Sequence, residues 1–392
     1  MGAPGERGLS QAEDLPVYVL LTGCKKNAGD FLIAHAAREL LSKYAPCKEF
    51  KELPSWLPVT SHLDIIRSSK ALLLCGGPAF QSGLGTTIYP ITQDLERITV
   101  PIISFGLGWK AFPGDEFDRK TVQPPASAQL LLDRIRNDFR YAGCRDYLTL
   151  SVLKRWGIRN AVMTGCPAWY DPQWFDQPPR IPEKIRNVAV TPAELPRFNH
   201  QSKELLQLVR DLFPEARRTC SFHRGWVRDE HTTGTHAENA LDLKAYAEKA
   251  GFDCQDISGS VEGMLRYEDY DLHIGYRVHA HLKFLSARKP SFLIAEDGRG
   301  RGALEATSSC GVCGWQTSLP AACCESLFPS GKMLRFVRRR FGAYRVPQEA
   351  IPCLGEMIEQ EITQGFPRHQ GSLAVIDATR TKMLEMIRAM PS

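Results

Sequence analysis

The sequence predicts an α/β protein with two Rossmann-like, doubly wound domains that face a cleft, followed by a helical C-terminal tail. Short, continuous apolar runs alternate with longer segments of helical pattern, which is typical of parallel strands covered by helices on both faces. A proline-rich stretch interrupts this alternation once, and the alternation then resumes. The length of 392 residues also favours two domains over one.

The first domain is predicted over residues 1–170. Its strands are the apolar runs 17–21, 71–75, 100–105, 141–144 and 161–164. Its helices are the intervening segments 31–44, 127–138 and 148–156. Because these runs are apolar throughout rather than alternating, the strands are expected to be buried on both faces.

A linker is predicted at residues 171–186, where four prolines in sixteen residues can sustain neither a helix nor a central strand. The second domain follows over residues 187–330, and a basic helical tail over 331–392. The strands of the second domain are 188–191, 218–222, 252–257, 272–275 and 290–295, and its helices are 202–213, 240–250 and 279–287. This layout is that of the GT-B glycosyltransferase architecture, in which ligands bind between the two domains near the carboxyl ends of the strands.

The composition is that of a soluble globular protein, with 43% hydrophobic and 24% charged residues. No apolar run approaches the ~18 residues of a membrane-spanning helix, and residues 1–16 lack an apolar secretory core. The net charge of +5 does not indicate a nucleic-acid partner. We therefore expect a cytoplasmic protein.

Twelve cysteines in so long a chain do not form a small disulfide scaffold, and several of them end apolar runs, where free cysteine behaves as a small hydrophobe. A reducing compartment is expected. The pair Cys310 and Cys313 has the spacing of half a zinc knuckle, but the adjacent Cys323 and Cys324 make a poor second half. No metal is predicted.

Glycine-rich turns follow the first three strands of the first domain. The first turn runs from Gly23 through Asn27, Gly29 and Asp30 into a helix, whose N-terminus favours an anion. This turn is interpreted either as a ligand site or as a tight turn in which Asp30 caps the helix. The second turn contains Gly76 and Gly77, and the third contains Gly106 and Gly108. Three such turns at successive strand ends predict the floor of a crevice.

Basic residues follow other strands. Arg145 begins a helix after the fourth strand, where a guanidinium can bind a carboxylate or phosphate through two hydrogen bonds. In the second domain Gly275, Arg277 and His279 join a strand to a helix, which directs a fixed positive charge and an imidazole towards the cleft. Arg299 follows the next strand and adds positive charge. Together these residues predict a site for an anionic ligand.

Other histidines are interpreted differently. His273 and His281 lie within a strand and deeper in a helix, so they are predicted to be packing residues. The polar segment 223–239 contains three histidines without metal-ligand spacing, and is predicted to be a mobile substrate loop.

These ordered motifs resemble the polysaccharide pyruvyl transferase family, in blocks from about residue 17 to residue 301. Pro78 stands where the family usually has a third glycine, and Cys166 where it usually has an aspartate. The resemblance implies a transferase that moves the carboxyvinyl-derived group of phosphoenolpyruvate onto two hydroxyls of a sugar or lipid-linked oligosaccharide, forming a pyruvate ketal. Phosphoenolpyruvate is the donor substrate, and no cofactor is implied.

The resemblance also implies roles for the residues above. His279 would act as the proton donor or as the base for the hydroxyl, and Arg277 and Arg145 would stabilise charge on the carboxylate and on the leaving phosphate. The substrate-binding residues would be Asn27, Gly29, Asp30, Gly76, Gly77, Gly275 and Arg299. Phe80, Trp109 and Trp169, near the glycine turns, are candidates for stacking on the acceptor sugar.

Two other functions are compatible with the sequence. A nucleotide-sugar glycosyltransferase would share the architecture and could use Glu296 and Asp297 to hold ribose hydroxyls. A non-catalytic glycan- or anion-binding protein is the second alternative. The basic stretch 335–345 could form a peripheral contact with anionic lipid at the inner face of the membrane, or a solvated helix face.

Overall fold

A computed structural model describes residues 17–327 and 332–392. The N-terminal sheet has the order β2-β1-β3-β4, all parallel, so its topological switch point lies between β1 and β3. Its strands are β1 Val17–Thr22, β2 Glu49–Pro54, β3 Ala71–Cys75 and β4 Ile102–Phe105. A parallel pair, β5 Ala142–Cys144 and β6 Ala161–Met163, continues beyond β4 through a bridge from Leu107 to Cys144.

The helices of this N-terminal unit are α1 Ala28–Tyr44, α2 Leu63–Ser68, α3 Glu116–Thr121, α4 Gln129–Asn137 and α5 Tyr147–Arg155. Every residue of β3 is buried, as the unbroken apolar run predicted. Strand β2 was not predicted, because it is an edge strand whose charged side chains alternate with half-buried ones.

The C-terminal sheet has the order β12-β11-β10-β7-β8-β9, again parallel, which is the strand order of the Rossmann fold. Its switch point lies between β7 and β10. The strands are β7 Asn187–Thr191, β8 Arg217–Phe222, β9 Asp253–Asp256, β10 Leu272–Gly275, β11 Ser291–Ala295 and β12 Gly311–Cys313. The helices are α6 Asn199–Leu212, α7 Gly234–Lys249, α8 Glu262–Leu265, α9 Val278–Ser286 and α10 Gly298–Thr307.

The C-terminal segment is mainly helical. It comprises a short antiparallel pair, β13 Gln316–Thr317 with β14 Tyr344–Arg345, and the helices α11 Leu319–Leu327, α12 Lys332–Phe341, α13 Ala350–Thr363 and α14 Pro367–Arg388. Helix α13 packs on the C-terminal unit, whereas the end of α14 packs on the N-terminal unit, where Met386 is buried. The Tyr18 hydroxyl donates a hydrogen bond to the Pro391 carbonyl at 2.6 Å. The tail therefore contacts both units.

The predicted fold class is confirmed: two parallel α/β units are followed by a helical C-terminal tail. Residues 171–186 contain neither an α-helix nor a strand. The boundary predicted between the second domain and the tail, at residues 330 and 331, lies outside the described residues, and so does the N-terminal segment 1–16. Among the described helices, none is both long enough and apolar enough to span a membrane.

Candidate active site

The carboxyl ends of the strands at both switch points face each other across the cleft. Backbone hydrogen bonds join its edges: the Ala28 N–H donates to the His223 carbonyl at 2.9 Å, and the Gly259 N–H donates to the Lys26 carbonyl at 2.7 Å. The glycine turns of one unit and the Arg-x-His segment of the other therefore belong to one site.

Gly29 is the point of closest approach between α1 and His279. A Cβ atom at position 29 would lie only 2.3 Å from His279 Nδ1. Helix α1 begins at Ala28, three residues earlier than predicted, and Asn27 is its N-cap. The prediction that Asp30 caps this helix is wrong, because Asp30 lies in the first turn, where its carboxylate accepts a hydrogen bond from Asn27 Nδ2 at 3.3 Å.

The His279 imidazole is held neutral. Burial, followed by the positive charges of Arg145, Arg299 and Arg277, lowers its pKa to about 3. Among residues 17–327 and 332–392, no side chain or backbone group forms a hydrogen bond with this ring. A neutral imidazole with an open nitrogen is able to accept a proton from a bound hydroxyl.

Arg277 connects the two units. Its Nη2 donates to Asn27 Oδ1 at 3.0 Å, and its Nη1 pairs with the Glu194 carboxylate. Its backbone N–H donates to Thr191 Oγ1 at 3.1 Å. Gly275 has φ +153°, and a Cβ there would lie 2.2 Å from the Thr191 carbonyl oxygen. Gly275 is therefore needed for β10 to approach the end of β7, and this approach positions Arg277.

Arg145 lies beneath the third glycine turn. Its Nη2 donates to the Trp109 carbonyl at 3.0 Å, and its Nε donates to Asp146 at 3.1 Å. A Cβ at Gly108 would lie 1.9 Å from the Arg145 Nε, so this glycine leaves room for the guanidinium. Arg145, Arg299, His279 and Cys166 line one small cavity. The family departure at Cys166 therefore lies at the centre of the site.

An acidic cluster balances the arginines of the C-terminal unit. Arg299 pairs with Asp297 at 2.7 Å and lies 3.7 Å from Glu296. Burial raises the pKa of Glu296 to about 7, against the opposing charge of Arg277. Burial also disfavours ionised Glu194, but Arg277 and Arg224 outweigh it and hold the pKa of Glu194 well below its usual range. Glu296 is thus the member of the cluster whose carboxyl titrates near neutral pH.

Glu194 and Arg224 were not predicted as site residues, although they form an ion pair at the edge of the site. Glu194 follows β7 by three residues, so the strand-end argument that located Arg277 would also have located Glu194. Lys110 was missed as well, and burial together with nearby Arg299 lowers its pKa.

A cavity of about 180 Å³ adjoins the glycine turns. Asp30, Gly76 and Gly77 line it, and burial raises the pKa of Asp30 to about 6. Gly77 has φ +78° with open space where a Cβ would point, so its backbone faces the cavity. Trp56 also lines it, with Lys25 Nζ 4.8 Å above the ring.

The stacking role predicted for Phe80 is wrong, because this ring has no exposed surface and packs edge-on against Trp156. Trp109 and Trp169 are each 2% exposed, so they offer no open face in this structure. Trp56 was missed because it lies between β2 and α2, where the sequence gives no element signal.

Three other histidines of the C-terminal unit are structural. His273 and His281 are buried and both hydrogen-bond to Ser291 Oγ, as predicted for packing residues. His223 is buried too, at 2.8 Å from the Tyr267 hydroxyl, so it does not belong to an open loop. The described part of the chain contains no group of three or more His, Cys, Asp or Glu side chains placed to hold a metal ion.

The family model for polysaccharide pyruvyl transferase matches residues 27–298, from the N-cap of α1 to the start of α10. The chain belongs to the polysaccharide pyruvyl transferase family. The matched region contains Arg145, Arg277 and His279. The family resemblance predicted from the motifs is therefore confirmed. No curated protein matches the chain in sequence.

Several solved structures are similar to the chain in fold. Staphylococcus aureus MnaA, solved with UDP, is 11% identical over 89% of this chain and 96% of its own, with a TM-score of 0.45. UDP-GlcNAc 2-epimerase from Neisseria meningitidis, bound to UDP-GlcNAc, is 10% identical over 89% and 99%, with a TM-score of 0.44. Anabaena Alr3699/HepE, in complex with UDP and glucose, is 7% identical over 96% of both chains, with a TM-score of 0.43.

Proposed function

We propose that this pyruvyl transferase family member uses phosphoenolpyruvate as its donor and forms a pyruvate ketal on a sugar acceptor, with release of phosphate. The observation that carries the proposal is that Arg145 and Arg299, from the two units, line one small cavity with His279, and that Arg277 precedes His279 by two residues. Fixed positive charge on several sides of one neutral base suits a small donor that carries two acidic groups.

The donor site would use hydrogen-bond donors that the arginines still have available. Each guanidinium has five N–H donors in a planar fork, and the ion pairs with Asp146, Glu194 and Asp297 occupy only part of them. The carboxylate and the phosphate of phosphoenolpyruvate would bind the remaining donors. Their negative charge would offset the field of the arginines and raise the pKa of His279 towards its usual range.

The reaction begins with addition across the double bond of the donor. A proton joins the methylene carbon, the oxygen of one sugar hydroxyl bonds to C2, and His279 takes the proton of that hydroxyl. Glu296, which lies 3.7 Å from Arg299 and whose pKa burial raises to about 7, is assigned as the proton source. The C2–O bond to phosphate then breaks, and phosphate leaves with the proton that His279 had taken. The oxygen of a second sugar hydroxyl bonds to C2 and closes the ketal, and its proton returns to the Glu296 carboxylate.

The acceptor would bind in the cavity of about 180 Å³ beside the glycine turns. Trp56 offers an aromatic face there, and the Asp30 carboxyl offers a hydrogen-bonding group for sugar hydroxyls. A glycan or the sugar of a lipid-linked oligosaccharide fits this chemistry. We place the reaction in the cytoplasm, because all twelve cysteines lie within the described residues and are free thiols.

A nucleotide-sugar glycosyltransferase is less well supported. That activity would need Glu296 and Asp297 free to bind ribose hydroxyls. Asp297 instead caps α10 by accepting the Arg299 N–H at 2.8 Å, and it pairs with the guanidinium of the same residue.

Donor binding separates the alternatives. In a thermal-shift series, phosphoenolpyruvate should raise the melting temperature, because a ligand that binds only the folded state stabilises it. UDP-glucose and UDP-N-acetylglucosamine should not raise it. Stabilisation by a nucleotide sugar alone would reject the pyruvyl donor.

Turnover separates an enzyme from a binding protein. Candidate acceptors are incubated with phosphoenolpyruvate, released phosphate is measured, and mass spectrometry identifies the ketal. His279→Ala should abolish release while keeping its circular dichroism spectrum. His200→Ala, whose side chain is 88% exposed on α6, is the matched control and should retain activity. Binding of phosphoenolpyruvate without turnover of any acceptor would instead indicate a non-catalytic anion-binding protein.

A further inference from the structure

The helices α11 and α12 carry an exposed surface that the donor and acceptor sites do not use. Their inner faces are accounted for: Cys324 and Leu334 pack against Phe117 of α3. Arg338 is buried in the same place and pairs with Asp115 at 2.5 Å and with Asp118 at 3.2 Å. The outer faces have no partner among the described residues, and they form what we call the α11–α12 surface.

The α11–α12 surface is strongly apolar for an exposed helical face. Five large hydrophobic side chains are exposed by 55–72%: Leu319, Leu327, Met333, Phe336 and Phe341. Among the described phenylalanines, Phe336 and Phe341 are the two that are exposed rather than buried or half-buried. A cluster of this kind on a folded protein usually marks an interaction site.

The same surface is basic. Lys332, Arg335, Arg339 and Arg340 are exposed, and none of them forms an ion pair with a described acidic residue. Between positions 319 and 345 the sequence has six basic residues and a single acidic one, Glu325. The helical spacing of Lys332, Phe336, Arg339 and Arg340 places a phenylalanine between cations on one face of α12.

We propose that the α11–α12 surface docks on an anionic membrane, with its phenylalanine and leucine side chains in the interface and its basic side chains against lipid headgroups. Apolar and basic groups on one helical face are the pattern of interfacial membrane binding. A second copy of the chain would bring like charges together. A nucleic acid would satisfy the cations and leave the apolar side chains exposed. An anionic bilayer satisfies both groups.

The position of the surface links it to the acceptor site. Asp118, which holds Arg338 of α12, also lines a cavity of about 410 Å³ together with Gln81 and Lys110. Gln81 also lines the proposed acceptor cavity. The larger cavity therefore lies between the inner side of α12 and the proposed acceptor cavity. On the basis of the proposed function, we infer that the acceptor is lipid-linked.

Vesicle binding tests the docking directly. The full chain is sedimented with vesicles of phosphatidylcholine alone, and with vesicles of phosphatidylcholine and phosphatidylglycerol in equal parts. Binding should require the anionic lipid and weaken with salt. R335Q/R339Q/R340Q should lower the partition coefficient on the order of 100-fold, because each of the three basic residues contributes a factor of roughly five. F336S/F341S should lower it on the order of 100-fold, from roughly tenfold for each phenylalanine buried in the interface.

Matched controls make the same changes elsewhere on the surface. K154Q/R159Q/K249Q removes three exposed basic side chains from other helices and loops, and L130S/L241S removes two exposed leucines. Both controls should bind vesicles like the wild type. Circular dichroism and urea unfolding establish that the four variants are folded.

Several outcomes would overturn the docking proposal. Equal binding to neutral and anionic vesicles would overturn it, and so would unchanged vesicle binding of R335Q/R339Q/R340Q. It would also be overturned if the chain self-associates through a contact that F336S/F341S abolishes, or if RNA binds the chain and competes with the vesicles.

The docking proposal and the pyruvyl-transfer proposal can fail independently of each other. Vesicle binding without phosphate release rejects only pyruvyl transfer, whereas phosphate release without vesicle binding rejects only the docking surface. With a water-soluble acceptor, both α12 variants should keep wild-type turnover; loss of that turnover would mean that this surface serves the active site rather than the membrane.

Discussion

Gly29→Ala is the substitution that tests the contact between α1 and His279 most sharply. The new Cβ would lie 2.3 Å from His279 Nδ1 and 2.7 Å from Cγ, whereas ordinary contact begins at 3.4 Å. The imidazole must therefore retreat by about 1 Å, or α1 must move away by the same distance. Because Gly29 lies in the first turn of a helix, its backbone accepts alanine readily.

Gly29→Ala should reduce kcat/KM strongly and the stability of the fold only slightly. A displacement of about 1 Å at a catalytic group lowers kcat/KM by roughly 100-fold. Overpacking costs about 1–3 kcal/mol, and the higher helix propensity of alanine offsets about 1 kcal/mol of that cost. The free energy of unfolding should therefore fall by about 0–2 kcal/mol while most of the activity is lost.

The assay is phosphate release from phosphoenolpyruvate at saturating acceptor, with stability measured by urea unfolding. Gly371→Ala on α14 is the matched control, since this glycine is also helical and an added Cβ there would meet nothing within 4 Å. It should keep wild-type kcat/KM. Wild-type kcat/KM in Gly29→Ala would refute the reasoning, because it would show that His279 does not need its place against α1.

Three further predictions concern charge. Arg338→Gln should lower the free energy of unfolding by about 3–5 kcal/mol, because it leaves Asp115 buried without its partner. Arg339 is exposed, and Arg339→Gln should change the free energy of unfolding by less than about 0.5 kcal/mol. Equal effects of the two substitutions in urea unfolding would contradict this prediction. Binding of phosphoenolpyruvate at pH 6 should be accompanied by uptake of a proton, so the heat of binding measured by calorimetry should depend on the ionisation enthalpy of the buffer. His279→Gln should remove most of this proton uptake. A heat of binding that is the same in all buffers for the wild type would contradict the prediction. Burial lowers the pKa of His369 to about 4, so between about pH 4 and 6.5 the unfolded chain binds more protons than the folded chain, and the free energy of unfolding falls as the pH is lowered. His369→Gln should reduce this slope by up to about 1.4 kcal/mol per pH unit, and equal slopes in the variant and the wild type would contradict the assignment.

Much of the fold could be predicted because strands that are buried on both faces consist of consecutive apolar residues. Strand β3 is the clearest example, since all five of its residues are buried. The argument that functional groups follow strand ends at a topological switch point led to the prediction of Gly76, Arg277 and His279 as site residues. Strand β2 carries no such signal, because an edge strand depends on its pairing with β1 rather than on its own pattern.

The partners of the charged groups could not be predicted, because they are distant in sequence. Glu194 lies 83 positions before Arg277, and no local pattern connects them. Asp115 lies 223 positions before Arg338, so the basic stretch could not reveal that one of its arginines is buried. The sequence suggested a loop at Gly29, but this residue is helical. A glycine stands there because the His279 imidazole occupies the space that a side chain would need.

We propose that the arginines around His279 hold phosphoenolpyruvate while its methylene carbon is protonated and C2 receives a sugar oxygen. The most direct test is to run the reaction in D₂O with a productive acceptor and to examine the product by mass spectrometry and methyl NMR. Pyruvyl transfer by this site predicts a ketal whose methyl group carries a single solvent deuterium. A ketal methyl group without deuterium would contradict protonation at that carbon.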